Sequence, residues 1–217
     1  TLTLLTAVDL GLCGSCAPAL RCAAPGAGWN NTCNQERAGV VLRVVSAEAA
    51  AMPSSPAMDF ILVRVVIGLI SDTHGLVRPG VHDALAGVAF ILHAGDVGGD
   101  AVLDELALVA PVYAVFGNTD PPGDPRLTRE IVRDVDGVSL HVSHGHEVGS
   151  PTPAKLLRRY PQDVLVYGHT HRQLITRAGA RLVINPGAAG QRRFDLEPSV
   201  ARLTIESGRA EVEIIAL

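Results

Sequence analysis

"VRVVIGLISDTHG", residues 63–75, is the stretch of sequence that decides the fold. Its apolar run, Val63–Ser71, predicts a buried β-strand, and Asp72 and His74 follow directly after it. Ligands and reactants in α/β proteins usually lie where strands reach their carboxyl ends. The stretch therefore predicts both a core strand and a functional group at the end of that strand.

Further apolar runs recur along the chain, and each ends in glycine or in a polar cluster. They predict strands in "AFILHAGD", "VYAVFGN", "VSLHVSHG", "DVLVYGH" and "RLVINPG", and in "VARLTIES" and "AEVEIIAL", which flank a two-residue hairpin turn at "GR" (Gly208–Arg209). Helices are predicted over Arg78–Ala86, Asp100–Val109 and Pro153–Tyr160. Alternating helices and strands, followed by strand-rich sequence, favour an α/β layered domain with mixed sheets.

Length and composition bound the class of protein. The 217 residues suit one domain, or one domain with an appendage. With 47% hydrophobic and 18% charged residues, the chain can bury a substantial core. The net charge of -4 argues against a general nucleic-acid-binding surface. No apolar run reaches the roughly 18–20 residues that span a bilayer, so we expect no membrane association and a cytoplasmic location.

The first 64 residues differ from the rest of the chain. They hold all four cysteines and the only tryptophan, and they contain no histidine and no sustained helical or strand period. The pair in "CGSC", Cys13 and Cys16, lacks the second close pair or the nearby histidines that usually complete a zinc site. We therefore expect residues 1–64 to be a disordered or non-native extension, with a zinc or redox site as the alternative, and residues 65–217 to form the functional domain.

Five predicted strands end in side chains that can bind metals. Beside glycine, these ends carry Asp72, His74, Asp96, Asn118, Asp120, His144, His146, His169 and His171. Aspartate, asparagine and imidazole without cysteine suit Mn, Fe, Zn or Mg-type cations rather than a sulfur-bound structural zinc. Even seven ligands out of these nine side chains are too many for one tetrahedral ion and suit two ions with a shared carboxylate, which is a standard arrangement for hydrolysing phosphate esters.

Taken as an ordered set, "SDTHG", "HAGDVGG", "FGNTD", "SHGH", "YGHTH" and "INPGAAGQRR" resemble the calcineurin-like metallophosphoesterase superfamily, and in particular its small bacterial and archaeal phosphodiesterase branch. The resemblance covers about residues 65–217. It implies a four-layer α/β/β/α sandwich of two mixed sheets flanked by helices. It also implies two divalent metal ions, with manganese favoured and nickel, iron, zinc or magnesium left open.

Carried over motif by motif, the resemblance implies seven metal ligands. The first ion would be held by Asp72, His74, Asp96 and His171, and the second by Asp96, Asn118, His144 and His169. Asp96 would bridge the ions, and a bridging hydroxide, held by the ions near Asn118 and His144, would attack phosphorus in line. Asn118 and Arg192 are the candidate substrate-binding residues.

Several positions carry more specific expectations. Relatives often have a histidine or cysteine after the asparagine, whereas this chain has Thr119, which is too weak an acid to protonate a leaving group at neutral pH. Substrates with low-pKa leaving groups are therefore favoured. His93 and His141 lie within strand runs and are expected to pack there or to support ligands. The spacing of His169 and His171 predicts that both point to one side of a near-extended segment.

The favoured function is a metal-dependent phosphoesterase acting on a small phosphate ester, and a diesterase rather than a monoesterase. A nucleotide or phosphoprotein phosphatase is the alternative among enzymes. Outside enzymes, the resemblance extends to a retromer scaffold subunit that uses this fold to bind partners. All seven ligand positions hold competent residue types, which favours the enzyme. Assembly into a homo-oligomer stays open.

Overall fold

The computed structural model describes residues 64–192 and 195–217. The expected N-terminal extension and its cysteines therefore lie outside the described residues, apart from Arg64, which begins the first strand. The strands are β1 Arg64–Ile70, β2 Phe90–His93, β3 Val112–Val115, β4 Leu127–Thr128, β5 Ile131–Val135, β6 Val138–Val142, β7 Val164–Val166, β8 Leu174–Ala178, β9 Arg181–Asn185, β10 Ser199–Glu206 and β11 Arg209–Ala216. The helices are α1 Gly80–Ala84, α2 Asp100–Ala107 and α3 Pro153–Arg159, with a 3₁₀ turn at His146–Val148.

The strands form two mixed sheets. The first has six strands in the order β11-β10-β1-β2-β3-β4, and the second has five in the order β5-β6-β7-β9-β8. In the first sheet β1 to β4 run parallel, and β10 pairs antiparallel with β1. In the second, β6, β7 and β9 run parallel, with antiparallel strands at both edges. The parallel strands in each sheet place their carboxyl ends, and the loops that follow, at one edge.

Three apolar clusters hold the layers together. The largest lies between the two sheets and joins β1 and β2 side chains such as Leu69 and Leu92 to Leu140 and Val166 of the second sheet. Another packs α1 and α2 on the outer face of the first sheet. The third packs α3 on the second sheet through residues such as Leu156. The predicted four-layer α/β/β/α sandwich is therefore confirmed.

Helix α3 shows how local sequence fixes an element. The Thr152 side chain accepts a hydrogen bond from the backbone N–H of Lys155, and Pro153 occupies the first helical position, where no N–H is needed. Arg158 and Arg159 lie in the last turn, where positive charge complements the helix dipole. The helix therefore begins and ends close to the predicted bounds.

Among the described residues, no helix has the length and apolar character needed to cross a membrane.

The prediction of the C-terminal hairpin turn was wrong by one residue. Glu206 pairs with Arg209, so the two turn residues are Ser207 and Gly208 rather than Gly208 and Arg209. Both turn residues have positive φ angles, 51° and 71°. This backbone matches the twist of the flanking strands, and a glycine in the second position adopts it without steric cost.

Candidate metal centre

The loops after β1 and β2 run side by side because the two strands are parallel. The backbone N–H of Asp72 donates to the carbonyl of Gly95 at 3.0 Å, and the N–H of His74 donates to the carbonyl of Asp96 at 3.0 Å. With a third bond from the N–H of Gly75 to the carbonyl of Val97 at 2.9 Å, the two loops extend the ladder of the sheet by three further hydrogen bonds. Their side chains enter the site from a backbone that is itself paired.

The loops after β6 and β7 join this group from the second sheet. The N–H of Gly168 donates to the carbonyl of His144 at 3.1 Å. The imidazole Nδ1 of His144 donates to the carbonyl of Ala94 at 2.8 Å, and the backbone N–H of His169 donates to the Asp72 carboxylate at 3.3 Å. These contacts fasten the strand ends of both sheets to each other.

A first cluster of donors forms around the Asp72 carboxylate. Asp72, His74, Asp96 and His171 each offer one ligand atom, and the four atoms all lie within 4.8 Å of one another. Nε2 of His171 lies 3.2 Å from Oδ1 of Asp72, and 3.5 Å from Nε2 of His74. Two carboxylates and two imidazole nitrogens that converge in this way fit a divalent cation such as Mn, Fe or Zn.

A second cluster of donors forms around the side-chain oxygen of Asn118. Nδ1 of His169 lies 2.9 Å from that oxygen, and Nε2 of His144 lies 3.1 Å from it. Oδ2 of Asp96 lies 3.4 Å from Nε2 of His144 and 3.8 Å from Nε2 of His74. One carboxylate oxygen therefore faces both clusters, and all seven predicted ligands are brought together at this edge.

The electrostatics of the site favour positive charge. Burial lowers the pKa of His144, but its hydrogen bond to Asp96 and the charge of Asp72 outweigh burial and raise that pKa above the usual value. Burial likewise raises the pKa of Asp96, but hydrogen bonds from His144 and from the backbone N–H of Thr119 outweigh it and hold the pKa well below its usual range. The pair of carboxylates therefore attracts a proton or a cation into the space between the ligands.

The backbone of the ligand loops is strained. Among the described residues, seven that are not glycine have a positive φ, and five of them are predicted ligands: Asp72, His74, Asp96, His169 and His171. Their φ angles lie between 46° and 67°. A left-handed residue other than glycine costs about 1–2 kcal/mol, and such strain concentrates at functional sites. The near-extended segment predicted for His169 and His171 was therefore wrong, and two left-handed residues direct these rings to the two clusters.

Asp120 positions the two loops that carry Asp96 and Asn118. Its buried carboxylate accepts hydrogen bonds from three backbone N–H groups, those of Val97 at 3.1 Å, Gly98 at 2.9 Å and Gly117 at 2.8 Å. These bonds use both carboxylate oxygens and join the loop after β2 to the loop after β3. Asp120 therefore does not face the clusters as a ligand, although it follows a strand like the ligands do.

Thr73 and its partners support the neighbouring ligands Asp72 and His74. The Thr73 hydroxyl donates to the carbonyl of Val97 at 2.8 Å and lies 2.9 Å from Nε2 of the buried His93. Burial lowers the pKa of His93 to about 4, so the ring is neutral near pH 7 and its Nε2 shares a single hydrogen bond with the hydroxyl. His93 is therefore buried within its strand and contacts Thr73, the residue between the candidate ligands Asp72 and His74.

Asn185 supports the loop that carries His169 and His171, and the sequence reasoning missed it. Its side-chain amide donates to the carbonyl of Gly168 at 2.8 Å and to the hydroxyl of Thr170 at 3.0 Å. Its oxygen accepts from the backbone N–H of Gly187 at 2.9 Å. The only signal for this role in the sequence was the place of Asn185 at the end of a strand, in "INPG".

Gly117 allows the loop after β3 to approach the shared carboxylate. A Cβ at this position would overlap Oδ1 and the backbone nitrogen of Asp96, so only glycine fits without displacing that residue. The next contact comes from Thr119, whose backbone N–H donates to the same Oδ1 at 2.9 Å. Thr119 therefore acts on Asp96 through its backbone N–H and, more weakly, through its side chain.

The remaining predicted residues lie around the clusters rather than in them. The ring centroid of His146 lies 5.3 Å from that of His144 and 6.4 Å from that of His169. His141 stacks on Tyr160 with ring centroids 3.7 Å apart, as expected for a packing residue. Arg192 is exposed on the loop after β9, so its role in substrate binding stays a prediction.

The fold and the donor set together define a metal-binding α/β sandwich, and comparisons with known proteins identify its family. A model of the calcineurin-like phosphoesterase superfamily domain matches residues 65–208. The chain belongs to this superfamily and is an enzyme of the metallophosphoesterase class.

Individual relatives agree with this assignment. The chain is 34% identical over 160 residues to a probable metallophosphoesterase of Methanothermobacter thermautotrophicus, which covers 70% of this chain and 92% of that protein. It is 30% identical over 141 residues to a phosphodiesterase of Methanocaldococcus jannaschii, and the alignment covers 56% of this chain and 82% of that protein. Among solved structures, vacuolar protein sorting 29 of Cryptosporidium parvum shares the fold with a TM-score of 0.60 at 21% identity, covering 71% of this chain and 98% of that one.

Proposed function

We propose that the chain hydrolyses small phosphodiesters at a centre of two divalent metal ions, with manganese favoured. The observation that carries the proposal is the position of Asp96, whose Oδ2 faces His144 of one cluster and His74 of the other. A shared carboxylate between two sets of neutral donors is the arrangement that holds two ions side by side. Cytoplasmic location and the choice of metal stay predictions.

The balance of charge supports an anionic substrate. Asp72 and Asp96 are the two carboxylates among the seven ligands, and the other five ligands are neutral when they bind a cation. Two divalent ions would therefore leave net positive charge for a phosphate and for its transition state. When bound, such ions lower the pKa of water and polarise phosphoryl oxygens. The chain itself holds and orients the donors through Asp120, His93 and Asn185.

Two cavities support a diester rather than a monoester. One of about 350 Å³ is lined by His146, which lies beside His144 of the second cluster. The other, of about 340 Å³, is lined by His171 of the first cluster together with Arg172 and Gln173. A diester carries two substituents on phosphorus, and each cluster adjoins a cavity that could receive one. A relative named a phosphodiesterase favours the same choice.

A partner-binding scaffold is the alternative function, because vacuolar protein sorting 29 shares the fold. A scaffold needs no convergent donors and no strained ligand backbone. Here five ligand residues adopt left-handed conformations, and buried groups outside the clusters fix their loops. Strain of this kind persists where the surroundings enforce it for a function, which favours the enzyme.

The proposal is tested with metal-free protein to which Mn, Ni, Mg or Zn is added back. Hydrolysis of a bis-aryl phosphate is compared with hydrolysis of a mono-aryl phosphate. We expect metal-dependent turnover with preference for the diester, and loss of that turnover in Asp96→Asn. Asp104→Asn is the matched control, because Asp104 is an exposed residue of α2 that pairs with Arg126 and belongs to neither cluster. No turnover with any metal, or full activity of Asp96→Asn, would overturn the proposal.

A further inference from the structure

The cavity beside the second cluster has features that the metal ligands do not use. Its volume is about 350 Å³, near the lower end of the roughly 300–1,000 Å³ that small-molecule sites occupy. Three rings and four charged side chains line most of it: Phe116, His146, Tyr160, Arg129, Glu130, Glu147 and Arg159. This size suits one ring system with a short linker rather than a polymer.

The rings connect the cavity to the second cluster. Phe116 directly precedes Gly117 and Asn118, and its ring centroid lies 6.0 Å from that of His146. The ring of His146 lies in turn 5.3 Å from that of His144. Only the ring of His146 would therefore separate a substituent in the cavity from a phosphorus atom held at Asn118 and His144.

The part of the cavity wall formed by Tyr160, Glu147 and Arg159 is held in place by contacts within the protein. Tyr160 stacks on His141, and its hydroxyl donates to Oε1 of Glu147 at 2.9 Å. Oε2 of Glu147 accepts from the backbone N–H of Gly145 at 2.8 Å. The Nε–H of Arg159 donates to the Tyr160 hydroxyl at 3.0 Å. Such preorganised contacts reduce the ordering cost when a ligand binds.

We infer that this cavity seats a planar aromatic substituent of the phosphodiester, an aryl or nucleobase ring, beside Phe116 and Tyr160. The inference rests on the proposed function for the position of the phosphate. Aromatic side chains favour stacked or edge-to-face contacts with a planar ring, and a purely aliphatic chain would make no such contact. Arg129 and Arg159 are matched in the lining by Glu130 and Glu147, so the cavity is polar without net charge, which suits a ring that carries polar edges.

Binding of phosphonates, which cannot be hydrolysed, tests the inference by titration calorimetry with metal-loaded protein. We expect phenylphosphonate to bind about tenfold more tightly than methylphosphonate, a difference of about 1.4 kcal/mol, because only the phenyl ring can stack on an aromatic side chain. Phe116→Leu keeps apolar volume but removes the ring, and we expect it to reduce that ratio to about twofold without changing methylphosphonate binding.

Variants of α3 provide a second test that leaves the core of the domain unchanged. Arg159→Ala removes a cavity residue that supports the Tyr160 hydroxyl, and we expect about threefold weaker phenylphosphonate binding. Arg158→Ala is the matched control, because Arg158 is exposed on the same helix and does not line this cavity. An adenosine 5′-phosphonate distinguishes the ring types: it binds more tightly than phenylphosphonate for a nucleobase site and more weakly for an aryl site.

Equal binding of phenylphosphonate and methylphosphonate to the wild type would overturn the inference, as would Phe116→Leu weakening both probes alike. If either result is found in a protein that still hydrolyses diesters, only the inference about the cavity is refuted, and the proposed function is not. Conversely, selective ring binding in a protein without metal-dependent turnover would refute the proposed function alone.

Discussion

Replacing Asp120 with asparagine changes one atom type at the junction of two ligand loops. The carboxylate accepts three backbone N–H groups, two at Oδ2 and one at Oδ1. In the amide one of these oxygens becomes an NH₂ group, which cannot accept. The less costly orientation places the NH₂ group against the N–H of Gly98, so one bond is lost and two donors face each other.

The size of the effect follows from this count. A hydrogen bond to a charged group contributes about 1.5–3 kcal/mol, and the bond lost is the one from Gly98, an exposed residue whose N–H can turn to water. We therefore expect Asp120→Asn to lower the free energy of unfolding by about 2–3 kcal/mol. In a domain of this size that corresponds to a melting temperature lower by roughly 5–10 °C. Metal affinity should also fall by roughly tenfold, as when other groups that orient ligands are removed.

The assay is thermal and urea unfolding of metal-free protein, followed by a calorimetric metal titration. Asp104→Asn serves as the control, because its exposed ion pair with Arg126 is screened by solvent and contributes little to stability. If Asp120→Asn melts within about 2 °C of the wild type and binds metal equally well, the three hydrogen bonds do not position the loops, and the reasoning fails.

Two further predictions concern the surroundings of the ligands. Gly117→Ala places a Cβ on the Asp96 carboxylate, so we expect at least about tenfold weaker metal binding by calorimetry, while Gly80→Ala, where only ordinary contacts with Leu217 arise, should bind metal like the wild type. Burial lowers the pKa of His93 to about 4. The unfolded chain therefore takes up a proton that the folded chain does not, and stability should fall by up to about 2 kcal/mol between pH 6.5 and pH 5 from this group alone. Urea unfolding at both pH values should show a smaller loss in His93→Gln.

Each of these predictions has a result that contradicts it. Unchanged metal affinity in Gly117→Ala would mean that the loop can move away from Asp96 at little cost. An equal loss of stability with falling pH in the wild type and in His93→Gln would assign that loss to other groups.

Much of the fold could be predicted because its central strands are buried on both faces. Continuous apolar runs such as that of β1 and β7 indicate strands directly. The edge strands β5 and β8 were missed because each is partly exposed and carries charged or polar residues, including Arg133 and Arg177. The hairpin turn was misplaced by one residue because serine, unlike glycine, rarely adopts the left-handed conformation that Ser207 has here.

The convergence of the seven candidate ligands could also be predicted, because they follow strands whose ends meet at one edge. The residues that support them could not be predicted, since they act through hydrogen bonds between segments that only the folded topology brings together. Asp120 binds backbone groups 22 and 23 residues earlier in the chain, and Thr73 meets His93 20 residues later. The left-handed backbone of His169 and His171 could not be predicted either, because the spacing of two histidines indicates the direction of their side chains only if the backbone conformation is assumed.

The central claim is that Asp96 is shared between two metal ions, and a crystal structure of the metal-loaded protein with anomalous scattering tests it most directly. We expect two peaks about 3.5–4 Å apart, with the Asp96 carboxylate between them, one peak beside Asp72 and His171 and the other beside Asn118 and His169. A single peak within the cluster of Asp72, His74, Asp96 and His171, at a metal concentration that supports full activity, would contradict the claim.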